Sequence, residues 1–277
     1  MKLSKTFKWF VYLALIVVTI SSVIPFLWLV RSSLMTSSEI FEFPPKLLPE
    51  SLMFSNYSDV FNLLDFGTYL KNTMIIMVPV MLGTVFTSCM CGYAFSRLDF
   101  PFKNFWFGLI IATMMLPSAV TMIPTFIMWA KVGGVDTFLP LILPAFFGGG
   151  GFNVFLMRQF FAGIPKELDE AAILDGASYY QIFFKIMLPL VKPALMVVGF
   201  FTFMNVWNDF FGPLIYLNDE SKHTLALGLL QLKGQYSSDW NLMMAASTAM
   251  TIPAIIVFFI GQKYFIQGIS LTSGSKG

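Results

Sequence analysis

Residues 162–189 read Ala162-Gly163-Ile164-Pro165-Lys166-Glu167-Leu168-Asp169-Glu170-Ala171-Ala172-Ile173-Leu174-Asp175-Gly176-Ala177-Ser178-Tyr179-Tyr180-Gln181-Ile182-Phe183-Phe184-Lys185-Ile186-Met187-Leu188-Pro189. This polar stretch lies between two strongly apolar ones, and its punctuation predicts two short helices. Pro165 suits a first helical turn, where its missing N–H costs nothing. Glu167, Asp169 and Glu170 then sit at the positive end of the helix dipole. Leu168, Ala171 and Ala172 fall at helical spacing and form a small apolar face that a partner backbone can approach closely. Asp175 and Gly176 close the helix, the glycine as a left-handed C-cap. Ser178 and Gln181 have capping-box spacing and start a second helix. That helix presents Ile182, Phe183 and Ile186 on one side and ends at Leu188-Pro189. The product is a helix–turn–helix knuckle. A helix lying on an anionic membrane surface is usually rich in Lys and Arg, whereas here Glu167, Asp169, Glu170 and Asp175 outweigh Lys166. A plain solvated connector needs neither two caps nor two apolar faces. Docking to another protein is the reading that the helix signals favour over these two.

The rest of the chain places that knuckle at a membrane. The protein has 277 residues, 57% hydrophobic and 12% charged, where a soluble domain carries about 25% charged residues. Six apolar stretches are long enough to span a bilayer: 9–30, 73–95, 105–130, 138–161, 193–217 and 242–262. The fold class expected is therefore all-α, a polytopic membrane protein with six transmembrane helices. Lys2, Lys5 and Lys8 precede the first stretch, which exceeds a signal-peptide core and reads as a retained span. With both termini inside, eleven of the 17 Lys and Arg residues fall on the inner side, which favours cytoplasmic termini. Segment 31–71, broken up by Pro44, Pro45 and Pro49, is the longest polar connection and belongs outside. A net charge of +2 without a basic run excludes nucleic acid as a partner and leaves membrane lipid. Cys89 and Cys91 point to different sides of one helix and read as core residues, not a disulfide or metal pair. His223 stands alone in an outer loop. No metal-ligand, paired-carboxylate or His-rich constellation is present, and no Gly-rich loop ends in Gly-Lys-Ser or Gly-Lys-Thr. Neither catalysis nor a cofactor is expected, and any ATP used is hydrolysed by another chain.

Polar residues at membrane depth read as functional by default. Asn205, Asn208 and Asp209 share a face of span five by helical spacing, with Trp207 offset. An aromatic ring beside amides and a carboxylate suits a sugar, although hydrogen bonds between spans use the same residue types. Span four combines Pro140 and Pro144 with Gly148-Gly149-Gly150-Gly151, which either permits close helix packing or marks irregular backbone beside a pathway. Pro117 and Pro124 predict kinks in span three.

Glu170-Ala171-Ala172, Gly176, Ile186 and Leu188-Pro189 match at every position the EAA motif of binding-protein-dependent ABC importer permeases. Arg158-Gln159-Phe160-Phe161, Ile164-Pro165, Asp175-Gly176-Ala177-Ser178, Tyr93-Ala94-Phe95-Ser96-Arg97-Leu98, Trp207-Asn208-Asp209-Phe210 and the closing Lys276-Gly277 resemble the sugar-importer branch of that family. The likeness runs from about residue 70 to the end, and the length resembles the smaller permease of maltose-type and multiple-sugar importers. It implies a non-catalytic inner-membrane subunit of a bacterial cell. The implied partners are a second homologous permease, two ATP-binding ABC ATPase subunits and an extracellular sugar-binding protein. It also implies three regions: residues 1–68 as first transmembrane helix and extracellular connection, 69–265 as permease core with coupling loop 162–189, and 266–277 as cytoplasmic tail. In the tail, Ser270-Leu271-Thr272-Ser273-Gly274-Ser275 departs from the Gly/Ala-rich ending of relatives. By the resemblance Glu170 is the charged ATPase contact, Ala171 and Ala172 give close packing, and Gly176 makes the turn. Gly234, Tyr236 and Trp240 of the 218–241 loop are its candidates for contact with the binding protein. A glycerol-phosphate importer is the nearest alternative. Phosphate favours Arg or Lys in the cavity, and the predicted span interiors lack both, so a neutral oligosaccharide fits better. An ion-coupled secondary carrier needs membrane-embedded charges, and only Asp209 comes near.

Overall fold

The computed structural model describes residues 5–232 and 239–273, and the side chains of these apart from residue 6 and residues 264–273. Every regular element among the described residues is helical. Four helices are long and apolar enough to cross a membrane: Phe7–Ser33, Phe66–Arg97, Leu139–Ala162 and Trp240–Lys263. Two further pairs qualify only when joined across a bend, Lys103–Thr113 with Ser118–Lys131 at 99° and Tyr179–Leu190 with Lys192–Trp207 at 73°. By length and composition the count is four, or up to six with each bent pair taken as one span; the second pair includes residues 179–190, the end of the stretch expected to form the knuckle.

The chain divides into two compact units, Met1–Phe66 with Gly228–Pro253, and Gly67–Leu227 with Ala254–Gly277. In the first unit the helix Lys5–Ser33 runs into a short connection organised by one buried side chain. Asn56 donates through Nδ2 to the carbonyls of Ser33 and Met35, each at 2.9 Å, and accepts from Asn241 Nδ2 at 2.9 Å. Thr36 and Glu39 form a capping box around the single turn Ser37–Ile40. Phe41 meets Trp240 edge-on at 5.8 Å.

The second unit is built around the 32-residue helix Phe66–Arg97, about 48 Å long at 1.5 Å per residue. Its C-terminal half lies against the helix Gly151–Ala162 at Gly92. A Cβ at that position would stand 2.5 Å from Met157 Cβ and 2.9 Å from the Arg158 amide nitrogen. No side chain fits there, so the glycine is a requirement of helix contact. Higher up, Gly149 sits against Thr84, where a Cβ would be 2.8 Å from the Thr84 carbonyl oxygen. Gly148, Gly149 and Gly150 all have positive φ, so span four is interrupted in mid-stretch. The close helix packing is seen at Gly149, and the backbone is irregular at residues 148–150.

Span three departs from expectation. Instead of a kinked helix it is two helices, and Pro117 stands at the break in extended conformation as N-cap of Ser118–Lys131. Proline disfavours helical backbone at the residue before it, here Leu116. Pro124 is accommodated within the second helix. Span five also ends early. The helix Lys192–Trp207 stops at Trp207, Asn208 is its C-cap, and a separate helix Phe211–Tyr216 follows.

The end of this unit away from Arg97 is closed by polar contacts. Asp136, with φ of 60°, accepts from the Asn218 and Asp219 amides at 3.0 and 3.1 Å and pairs with Lys222 at 2.5 Å. Asn72 Nδ2 donates to the carbonyls of Ser221 and His223 at 2.8 and 2.9 Å, and Thr73 accepts from the Leu225 amide at 3.0 Å. The Lys222 hydrogen bond, aided by those amides, holds the Asp136 carboxyl below its ordinary range.

Two predictions follow from these contacts. Gly92→Ala is expected to cost about 1–3 kcal/mol through overpacking. Gly108→Ala, in the middle of the helix Lys103–Thr113 where nothing lies within 4 Å, should instead stabilise by up to about 1 kcal/mol through helix propensity. Thermal unfolding of the two purified variants in detergent checks this. Asp136→Asn keeps a residue type that tolerates left-handed backbone while removing the charge. Because the folded pKa is lowered, the carboxylate's contribution is present above the ordinary Asp range and lost as pH falls through the folded value. The variant should unfold at lower temperature than the parent near neutral pH, and the gap should close on acidification.

Candidate functional site

Within the second unit, residues 162–190 fold as the predicted knuckle. The first helix is Glu167–Leu174, so Pro165 precedes its first turn. Asp175 is the C-cap and Gly176 has φ of +79°. The Gly176 amide donates to the Ile173 carbonyl at 3.0 Å and the Ala177 amide to the Ala172 carbonyl at 2.9 Å. This is the pair of bonds of a Schellman stop. The second helix opens with the expected box: the Gln181 amide donates to Ser178 Oγ at 3.4 Å, and the Ser178 amide to Gln181 Oε1 at 2.8 Å. From Ile182 to Met187 the helix widens to π geometry. Pro189 explains the place of this widening, because its ring would clash with the carbonyl four residues back in a regular α-helix.

The two apolar faces differ from expectation in what they touch. Ala172, Ile182, Phe183 and Met187 are buried in one cluster with Tyr93, Phe161 and other residues of the second unit. Tyr93 packs on the rings of Phe161 at 5.5 Å and Phe183 at 5.0 Å. The close packing expected of Ala172 toward a partner is thus spent inside this chain, while Ala171 remains exposed. Ile186 and Leu188 pack against the cluster as half-buried residues. The outward surface carries Glu170, Asp175, Gly176 and Pro189, together with Leu174 at 88% exposure and Tyr180 at 80%. The small turn is therefore ringed by exposed apolar and acidic side chains.

Arg97 is the residue at this site that the sequence reading did not single out for a role. Its side chain is 5% exposed, and Nη1 pairs with Asp169 Oδ2 at 3.0 Å. Nη2 donates to the carbonyl of Phe161, in the last turn of the helix Gly151–Ala162, and to that of Ile164, in the link that follows. Burial pushes the Asp169 carboxyl above its ordinary range, against the pull of Arg97, and the neighbouring Glu170 adds to the rise. A cavity of about 220 Å³ beside the pair is lined by Lys103, Lys166, Glu170 and Tyr179 among others. The available signal was an Arg at the end of an apolar run and an Asp within an acidic turn.

The proposed pathway residues separate. Trp207 is buried and stacks on Phe203 at 5.6 Å, so one indole face is covered by the chain itself. Asn208 and Asp209 lie beyond the last helical turn, and the helical-face rule does not reach them. Asp209 Oδ1 accepts from the Gly212 amide at 3.0 Å, capping the next helix. Asn205 and Asn208 are exposed. Of the outer-loop candidates, Trp240 is 40% exposed beside Phe41, and Gly234 and Tyr236 lie outside the described residues. No group of three or more His, Cys, Asp or Glu residues among the described residues is placed to hold a metal ion.

Residues 84–271 match the family model described as binding-protein-dependent transport system inner membrane component. The arabinooligosaccharides transport system permease protein AraQ of Halalkalibacterium halodurans is 33% identical, the match covering 100% of this chain and 99% of that one. The sn-glycerol-3-phosphate transport system permease protein UgpE of Pectobacterium atrosepticum is 32% identical over 84% of this chain and 85% of its own. A chain in the crystal structure of a bacterial ABC transporter that imports the acidic polysaccharide alginate superposes with a TM-score of 0.81 at 25% identity, covering 96% of this chain and 99% of that one. The knuckle and its seat fall within the matched residues, and the chain belongs to the binding-protein-dependent transport system inner membrane components, the membrane-spanning permeases of ABC importers.

Proposed function

We propose that the chain is a permease subunit of a sugar importer, with a neutral oligosaccharide as cargo, and that residues 162–189 couple it to ATP hydrolysis. It pairs with a second, homologous permease. Two ABC ATPase subunits serve the pair, and they alone hydrolyse ATP. Both termini lie on the ATPase side of a bacterial inner membrane, and an extracellular binding protein delivers the sugar to the other side. What supports the coupling role is the outward surface of the knuckle. Glu170, Leu174 and Tyr180 stand exposed around the Gly176 turn on a base that is rigidly packed. When the two ATPases close on ATP, each draws its knuckle inward, and the permeases swing from inward- to outward-facing as a two-state rigid-body change. Asn205, Trp207, Asn208 and Asp209 remain the candidates for the pathway, with Trp207 acting from behind. Gly234, Tyr236 and Trp240 remain those for the binding protein.

The likeness to a glycerol-phosphate permease keeps phosphate cargo as the second reading. The first experiment is purification of the chain from its own membranes in mild detergent, with native mass spectrometry of what accompanies it. One different permease and two ATPase copies are expected; the chain alone under several gentle conditions would reject the assembly. Screening the binding protein of that system against neutral oligosaccharides and glycerol phosphates then decides between the cargoes. Two variants test the coupling. Glu170→Lys reverses an interface charge and should weaken ATPase association by about 2–5 kcal/mol. Gly176→Pro cannot adopt the required φ and loses the Schellman donor. Both should abolish substrate-stimulated ATP hydrolysis while leaving membrane insertion unchanged. Normal stimulation in either would exclude the knuckle as the coupling element.

A further inference from the structure

We propose that Arg97 is a positioning residue that fastens the knuckle to the helix Phe66–Arg97, so that a displaced knuckle carries that helix, and the outer loop held at its far end, as one body. This rests on the coupling reading above and adds the route by which movement leaves the knuckle. One guanidinium reaches three places: Asp169 in the first knuckle helix, the Phe161 carbonyl that ends Gly151–Ala162, and the Ile164 carbonyl in the link between them. Arg97 is itself the last residue of its helix. Along the same helix, Gly92 is in backbone contact with Met157 and Arg158. At the opposite end, Asn72 and Thr73 hold residues 221–225. The helix is continuous from Phe66 to Arg97 with Pro79 inside it, where one backbone hydrogen bond is missing. The fastenings at Asn72 and Thr73 on one side of that proline and at Gly92 and Arg97 on the other hold both halves to their neighbours, and displacement at one end is passed along the continuous helix to the other.

The pair is better suited to geometry than to stability. Burial raises the Asp169 carboxyl above its ordinary range in spite of Arg97 beside it, and partly buried ion pairs are weak evidence for stability. Arg97 Nε and Asp169 Oδ1 are buried without a protein hydrogen-bond partner, and a network satisfied only in part is sensitive to small changes. A lysine at 97 would keep the charge. It lacks the planar fork that serves a carboxylate and two carbonyls together.

The test uses the complete importer reconstituted in lipid nanodiscs with its binding protein. The readouts are the ratio of ATP hydrolysis with and without substrate-loaded binding protein, and subunit composition by native mass spectrometry. Arg97→Lys and Asp169→Asn should assemble with the full set of subunits and show that ratio reduced by about tenfold, within the range for mutations along a coupling network. A parental ratio in both variants overturns the proposal. So does failure of both to assemble, which would make the contact one that only holds the fold. Glu170→Lys runs in parallel. If it too keeps the parental ratio, the coupling reading itself has failed; if it alone loses stimulation, only the role of Arg97 has.

Discussion

No water reaches the hydrocarbon core of a bilayer, so each backbone N–H and C=O at that depth must be satisfied within protein. The long helices answer this directly, and the places where helix stops are where the side chains become specific. At the glycine break of span four, Asn153 Nδ2 donates to the Gly149 carbonyl at 2.7 Å and Thr87 Oγ1 to the Ala145 carbonyl at 3.1 Å. Gly149 lies on Thr84 with no room for a side chain. At the break of span three, Thr113 Oγ1 returns to the Ile110 carbonyl at 2.6 Å, while Gly151 comes up against that same carbonyl oxygen. Two interrupted spans therefore meet through small residues, and each break is tolerable because the other chain segment is close.

The same accounting governs the end of the unit that carries the knuckle. At the end of the helix Gly151–Ala162 the Ile164 amide closes back on the Phe161 carbonyl at 3.2 Å. Arg97 adds a second donor to that carbonyl, reaches the Ile164 carbonyl in the link beyond, and uses its remaining edge for Asp169. The knuckle is thus tied to the helix end and the link, and its apolar underside, Ala172 with Ile182, Phe183 and Met187, completes the core of the unit. An element built this way cannot swing independently. What remains free is its outward surface, and the exposed Leu174 and Tyr180 have the character of the aromatic and aliphatic anchors that concentrate binding energy at interfaces.

Local rules were legible and distant ones were not. Gly176, Ser178 and Gln181 declare their caps within four residues, and the structure uses each as its spacing predicts. The membrane-length apolar runs are equally local. Arg97 and its acceptor carbonyl at Phe161 are 64 residues apart, and Asp136 and Lys222 are 86 apart. No periodicity links such positions, so both clamps were invisible. Trp207 shows a third kind of limit. Helical spacing assigns a residue to a face, but whether that face looks inward is settled by what packs there, here Phe203. Pro117 was visible as a disturbance, and only the tertiary setting decides between a kink and a 99° break.

The exposure of Asn205 and Asn208 has a consequence for the cargo. An amide facing lipid tails is costly, and both residues occur where the chain by itself offers them no cover. Asn208 satisfies part of its amide within its own helix, donating to the Met204 carbonyl at 2.8 Å, which leaves its oxygen to be met from outside. These side chains are therefore best placed against another protein or a water-filled space, and that supports a pathway lined jointly with a second permease. Specificity in such a pathway is composite. In the proposed shared pathway each subunit would supply part of the polar surface, and Trp207 of this chain, stacked on Phe203, would stand behind the helix end that Asn208 caps. A change of cargo among related permeases then needs only a few exposed side chains to change, while the buried seat of the knuckle stays the same.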